Sequence, residues 1–156
     1  MKKKLYLFSI LVALLFNLFG CGIFEIDKNE SLIPKDATEI QENGHYTSVE
    51  EVALYIFTFA KLPHNYITKE EAIALGWQSE KGNLWVVSDQ MSIGGERFGN
   101  REKLLPNADG RIWFECDIDY QGGYRNAKRL VYSNDGLIYY TDDHYESFTE
   151  LIFMKE

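Results

Sequence analysis

Glu115 and Asp117 stand two apart in WFECD, Arg125 and Arg129 stand four apart in GYRNAKRLVY, and His144 follows two aspartates in TDDHYESFTEL. On an extended chain, spacings of two and four return to the same side, so pairing these stretches as strands would gather two carboxylates and two guanidiniums on one face. Two chemistries fit such a set. One is a solvated network of surface ion pairs, which does nothing beyond itself. The other is a site for an anion that also needs proton transfer, with the arginines on the anion's oxygens and Glu115 and His144 as base and acid. A histidine beside acids at a hairpin tip is, taken alone, a solvated turn residue. Spacing does not separate the two readings.

The elements that must position these residues are legible from local signals. Ser48 followed by Glu51 is a capping box; Val49, Val52, Ala53, Ile56 and Ala60 then fall on one helical face, and Leu62-Pro63 ends the run. Thr68 followed by Glu71 opens a second, shorter helix that Gly76 stops, and a third helical turn is expected near Leu84 to Val87. From Arg111 to Tyr120 the period changes to two. Ile112, Phe114, Cys116, Ile118 and Tyr120 are assigned to the core, and Arg111, Trp113, Glu115, Asp117 and Asp119 to an open face. Gln121-Gly122-Gly123 turns the chain into YRNAKRLVY, Ser133-Asn134-Asp135-Gly136 turns it into LIYYT, and YESFTELIF is the last strand, with His144 at the tip of that hairpin. The expected fold class is α+β, with N-terminal helices packed on one face of a C-terminal antiparallel sheet. GGERFGNRE, before those strands, reads as a glycine-rich polar loop.

The chain begins with three lysines, an apolar run from Leu5 to Phe19, and Leu18-Phe19-Gly20-Cys21. This is the pattern of a secretory signal over residues 1–21, and its end is similar to the lipobox that makes Cys21 the acylated first residue of a lipoprotein. A permanent span would need ~20 apolar residues, more than this run supplies. The expected location is extracellular, either released or held by lipid on the outer face of the bacterial cytoplasmic membrane. Lys2, Lys3 and Lys4 leave with the signal, so 13 basic residues face 24 acidic ones, a net charge of −11. That overall sign opposes polyanion binding, and any such activity must rest on a local site. Residues 22–46 are acidic and aperiodic and are expected to be a flexible tether, with residues 47–156 as one domain. Cys116 has no partner once Cys21 is consumed, so there is no disulfide framework.

From Lys61 to Leu151 the chain resembles the barnase-like bacterial guanyl-preferring ribonucleases. KLPHNYITKEEAIALGW, KGNL, SIGGERFGNRE, GRIWFECDI, GYRNAKRLVYS and LIYYTDDHYESFT carry the resemblance, in order along the chain. It implies that Glu115 is the general base that takes the ribose 2′-OH proton and His144 the general acid that protonates the departing 5′-oxygen. It also implies that Arg125, Arg129 and Lys69 hold the phosphate and its transition state. Tyr145 would line the substrate site, and Asp117 would support the arginines. Phe98, Asn100, Arg101 and Glu102 would form the guanine-binding loop, with main-chain contacts to the base carbonyl and the Glu102 carboxylate on the ring N–H and amino group.

The implied activity is metal-independent cleavage of single-stranded RNA after guanosine, through a 2′,3′-cyclic phosphate that is then hydrolysed. DNA lacks the nucleophile. No cofactor is implied, and the sequence offers no His, Cys and carboxylate cluster at metal-ligand spacing. Implied partners are RNA, a barstar-like inhibitor protein and, through Cys21, the membrane; the chain is expected to be a monomer. Gly99 stands where the family has serine, Gly136 replaces a large aromatic, Tyr124 replaces phenylalanine, and Asp142 and Asp143 are expected to stand against the His144 imidazole as counter-charges. Two other classes stay open: a non-catalytic surface lipoprotein using the fold as an interaction module, and a toxin nuclease aimed at competing cells.

Overall fold

The structure is a computed structural model that describes residues 30–32, as backbone, and 39–153. The signal, its lipobox cysteine and the remainder of the tether lie outside those residues. The elements are β1 (Glu30–Leu32), α1 (Val49–Phe59), β2 (Tyr66–Ile67), α2 (Lys69–Ala74), a 3-10 turn (Ser79–Lys81), α3 (Leu84–Val87), β3 (Ser92–Phe98), β4 (Trp113–Asp117), β5 (Arg129–Ser133), β6 (Ile138–Thr141) and β7 (Thr149–Ile152). The strands lie in the order β1-β7-β6-β5-β4-β3-β2. From β3 to β7 every pairing is antiparallel, whereas β1 beside β7 and β2 beside β3 are parallel. The fold is α+β, with helices preceding the antiparallel meander.

Both expected caps are present. The Ser48 hydroxyl accepts from the Glu51 N–H and donates to its carboxylate, and Thr68 and Glu71 satisfy each other's orphan donors reciprocally. α1 presents Val52, Ala53 and Ile56 to Cys116, Ile118, Leu130, Ile138 and Leu151, forming the main core. Side chains of this size contribute ~1.5–3 kcal/mol each when fully buried, less for alanine. Ala60 is not part of the helical face. It is the C-cap, left-handed at φ 54, with its N–H on the Ile56 carbonyl. A second cluster packs α2 and α3 onto the start of β3 through Ala72, Trp77, Leu84, Ile93 and Tyr120.

Three further expectations differ from the structure. SIGGERF is strand β3 rather than loop. Glycines lower strand propensity and hide it from periodicity, but Gly94 is required here because a Cβ would come 2.7 Å from both the Cys116 Cβ and the Tyr66 ring. The segment preceding α1 is tied down from at least Gln41. The Tyr55 hydroxyl donates to the Glu42 carbonyl, and Asn65 pairs with both main-chain groups of Tyr46. Finally, the face of β4 assigned to solvent is largely covered. Trp113 and Asp117 are 5% and 1% exposed. The loop after β3 and the β6–β7 connection fold over Trp113, where Leu105 and Val131 complete a third cluster with Phe98, Tyr145 and Phe148. Of the three alternate residues on strand β4 itself, only Glu115 is left between the covered ends.

Candidate active site

Asp117 sits directly opposite Arg129 across β4 and β5, while Arg125 reaches it from the loop preceding β5 rather than from the strand itself. The two arginines still converge. Arg125 donates from Nε and Nη2 to the two Asp117 oxygens at 2.6 Å each, a bidentate fork. Arg129 Nε lies 3.0 Å from Asp117 Oδ1 as an ion pair, at an angle that does not complete a hydrogen bond. Its Nη1 donates to the Asn126 and Lys128 carbonyls, at 2.8 and 2.6 Å. Asn126 holds this loop by donating to the Ile118 and Asp119 carbonyls. Burial is the largest single influence and would lower the Arg125 pKa, but the Asp117 hydrogen bonds and the negative charges of Asp117 and its neighbours together outweigh it and raise the pKa. The Tyr66 hydroxyl fastens the main chain behind this cluster by donating to the Asp117 carbonyl at 2.9 Å.

Glu115, two residues earlier on the same face, has a side chain 12% exposed, with both oxygens engaged. Oε2 accepts from the Tyr145 hydroxyl at 2.6 Å, and Lys69 Nζ stands 3.3 Å from Oε1. Burial, then the bond to Glu115, raises the Tyr145 pKa well above the ordinary phenol range, so Tyr145 remains a donor near neutrality. A cation at a helix N-terminus is electrostatically unfavourable. Here the Glu96 carboxylate offsets it by accepting the Lys69 backbone N–H at 2.7 Å, which leaves the lysine side chain beside Glu115. Three cations, Lys69, Arg125 and Arg129, thus stand among three carboxylates, Glu96, Glu115 and Asp117. The two guanidiniums concentrate the positive charge on the side where Asp117 holds them.

His144 is exposed, and its ring centre lies 4.9 Å from that of Tyr145. With Arg125 and Arg129 it lines an open cleft of about 410 Å³, whose wall continues through Ser79, Tyr124 and Asn126. His144 and Tyr145 are both left-handed, at φ 61 and φ 78. Such a pair of non-glycine residues persists only where its surroundings over-determine it. Asp143 does so. Its carboxylate accepts from the Thr141 hydroxyl and from the Glu146 and Ser147 N–H groups, at 2.8, 3.0 and 3.0 Å, and also from the Ser147 hydroxyl. Asp143 is therefore a turn organiser, not a counter-charge for the imidazole, and neither Asp142 nor Asp143 forms an ion pair with His144. The Asx and Ser/Thr turn chemistry of DDHYES was the signal that could have identified this role.

Residues 50–152 match the ribonuclease family. Over 152 residues, 93% of this chain and 94% of the relative, it is 42% identical to a ribonuclease of Bacillus intermedius. A ribonuclease of Bacillus pumilus is 57% identical over 100 residues, 64% of this chain and 62% of its own. The guanyl-specific ribonuclease St of Saccharopolyspora erythraea is 40% identical over 70 residues, 44% of this chain and 65% of its own. The chain belongs to the ribonuclease family.

In this ribonuclease the loop following β3 divides its residues by task. The Asn100 side chain is turned inward, donating to the Leu105 carbonyl and accepting from the Leu105 N–H, so it shapes the loop from within. Phe98 stacks on Tyr145 with ring centres 5.2 Å apart, joining the loop to the catalytic candidates. Arg101 and Glu102 are exposed at its tip. Among the described residues no group of three or more His, Cys, Asp or Glu side chains could hold a metal ion. A larger cavity of about 620 Å³, between α1 and the β5–β6 turn, has Asp135 as its only carboxylate, and Arg111 occupies it.

The Asp143 carboxyl is held down to about 2 against an ordinary 3.8, first by the Ser147 hydroxyl and then by the loop N–H groups. A depressed folded-state pKa stabilises above the unfolded value, so this contribution is complete above pH ~4 and is lost as pH falls through about 2. Asp143→Asn is therefore expected to lower Tm at neutral pH and to flatten the fall of Tm between those limits. It is also expected to slow RNA cleavage by as much as ~10²-fold by releasing the backbone that carries His144. Thermal scans across pH, with cleavage rates on the same samples, check both; an unchanged Tm and rate would show that the turn holds itself.

Proposed function

We propose that this ribonuclease is an extracellular endoribonuclease that cleaves single-stranded RNA after guanosine without a metal ion. The observation that carries the reading is the cationic set built on Asp117, next to a Glu115 carboxylate positioned by Lys69 and Tyr145 and to an exposed His144. A phosphate seated on Arg125 and Arg129 would gain charge in the five-coordinate transition state, where fixed guanidiniums act most strongly. Glu115 would take the proton of the ribose 2′-OH as that oxygen bonds to phosphorus. The imidazolium of His144 would protonate the 5′-oxygen as its bond to phosphorus breaks, leaving a 2′,3′-cyclic phosphate. In hydrolysis the roles exchange: His144 would take a proton from water, and Glu115 would return one to the 2′-oxygen.

Guanine has a ring N–H and an amino group side by side, which together suit a carboxylate acceptor. The exposed Glu102 carboxylate, on a loop rigidified by Asn100, supports that choice, as does the guanyl-specific relative. The test is digestion of dinucleotides that differ only in the 5′ base, in EDTA. Cleavage of the guanosine substrate with accumulation of cyclic phosphate is expected. Equal cleavage of a uridine substrate would remove guanine selection, and loss of activity in EDTA would remove metal independence.

The cationic cleft would also suit an acidic inhibitor protein of the barstar type. For location, the proposal is lipidation at Cys21 and function as a tethered monomer. Palmitate labelling and detergent partitioning of the native protein, both lost in Cys21→Ser, are the expected result, because a lipoprotein cysteine carries more than one acyl chain. Unlabelled protein wholly in the medium would overturn it.

A further inference from the structure

Two of the chain's three histidines, His45 and His64, meet at the surface with ring centres 6.1 Å apart and planes at 83°. Their positions are fixed by the residues that follow each of them. Asn65 is buried to 1% exposure; its Oδ1 accepts the Tyr46 N–H at 3.2 Å and its Nδ2 donates to the Tyr46 carbonyl at 2.9 Å. The Asn65 carbonyl in turn accepts the Ser92 N–H at 2.8 Å, and the Tyr66 N–H closes the turn on Pro63. Tyr46 packs against the main core. The two imidazoles are thus held side by side by a buried clamp while both remain exposed, and neither takes a hydrogen bond or ion pair among the described residues. Nothing in the ribonuclease chemistry uses them.

Two neutral imidazoles at this spacing make a bidentate ligand. A metal–nitrogen bond of ~2.0–2.1 Å, plus about 1.1 Å from nitrogen to ring centre, puts each ring centre about 3.2 Å from a shared ion. Two such rings then have centres between ~5 Å, at a tetrahedral angle, and ~6.4 Å when opposed. The observed 6.1 Å is about 1 Å beyond the tetrahedral spacing, a gap that rotation of the two exposed side chains closes. We propose that His45 and His64 form a site for a borderline divalent transition cation of the zinc, nickel and copper class, which imidazole favours over magnesium or calcium. No third His, Cys, Asp or Glu joins them among the described residues, so water fills the other positions and the site is an open one. A bound ion cross-links the segment preceding α1 to the turn preceding β2, adding to folded-state stability by mass action.

The experiment is calorimetric titration of the full chain with nickel and with zinc chloride, paired with thermal unfolding. One ion per chain and a Tm rise of a few degrees are expected. Both are lost in His45→Ala and in His64→Ala, with His45→Gln as a variant that preserves side-chain bulk. Both are retained in His144→Ala, which removes the active-site imidazole as the source of binding. Guanosine dinucleotide cleavage by metal-free His45→Gln matches that of the metal-free wild type. Absence of binding at millimolar metal, binding that survives loss of either His45 or His64, or binding abolished by His144→Ala each overturns the proposal.

Discussion

Glu115→Gln is expected to leave the chain folded and to reduce kcat/KM for guanosine dinucleotides by ~10²–10⁴-fold, the usual range for loss of a general base. The amide keeps the size of the side chain and one oxygen to accept from the Tyr145 hydroxyl, although it gives up the ion pair with Lys69, which a Lys69→Ala control measures separately. Alanine is the less clean substitution, because it leaves the Tyr145 hydroxyl without its acceptor, a loss of ~1–3 kcal/mol on its own if no water replaces it. His144→Ala is expected to slow the reaction comparably. The double variant should be little slower than either single one, since residues that act as a unit in one transition state are not additive. Steady-state rates with matched thermal scans decide the matter. A Glu115→Gln rate within tenfold of the wild type would remove Glu115 as the base.

Asp117→Ala is expected to produce the largest loss of stability of any change in the site. The carboxylate is 1% exposed and is shared by Arg129, itself 3% exposed, and Arg125, which is 21% exposed. Deleting it leaves a buried guanidinium without a counter-charge, and breaking such a pair costs ~3–5 kcal/mol. For a domain of this size each kcal/mol moves Tm by ~4–8 °C, so a fall of more than ~10 °C is expected. Asp117→Asn, which keeps an acceptor but removes the charge, should fall between alanine and the wild type. Cleavage should decline in both variants even at temperatures where they are folded, because Asp117 also sets the direction of the arginines proposed to hold the phosphate. Thermal scans of the three proteins with rates at low temperature test this; an Asp117→Ala Tm within a few degrees of the wild type would show that the arginines find other partners.

Helices α1 and α2 were legible because their starts depend on residues three apart, Ser48 with Glu51 and Thr68 with Glu71, and such bonds need no tertiary partner. The strands of the meander were legible for a similar reason, since alternation in RIWFECDI and the turn residues between strands are local. Strand spacing is not what brings Arg125 and Arg129 together, because Arg125 precedes β5 and reaches Asp117 from a loop. β3 was not legible. Its glycines carry no periodic signal, and their necessity appears only when Gly94 is seen against Cys116 and Tyr66 from distant parts of the chain.

The sequence by itself determined the kinds of chemistry available: a base, an acid, cations for an anion, and a family resemblance that assigned roles to them. Only the tertiary structure decided which of the alternate residues on β4 is usable. Trp113 is sealed by Leu105 and its neighbours, and Asp117 is consumed by two arginines, while Glu115 is oriented by Lys69 and Tyr145. It also showed the Asn100 side chain bracing the loop from within, and turned Asp143 from a counter-charge into the residue that holds His144 in a left-handed backbone. The physical reason is the same in each case. A side chain's donors and acceptors are taken by whatever the fold brings within ~3 Å, and those neighbours come from loops whose path no local pattern encodes.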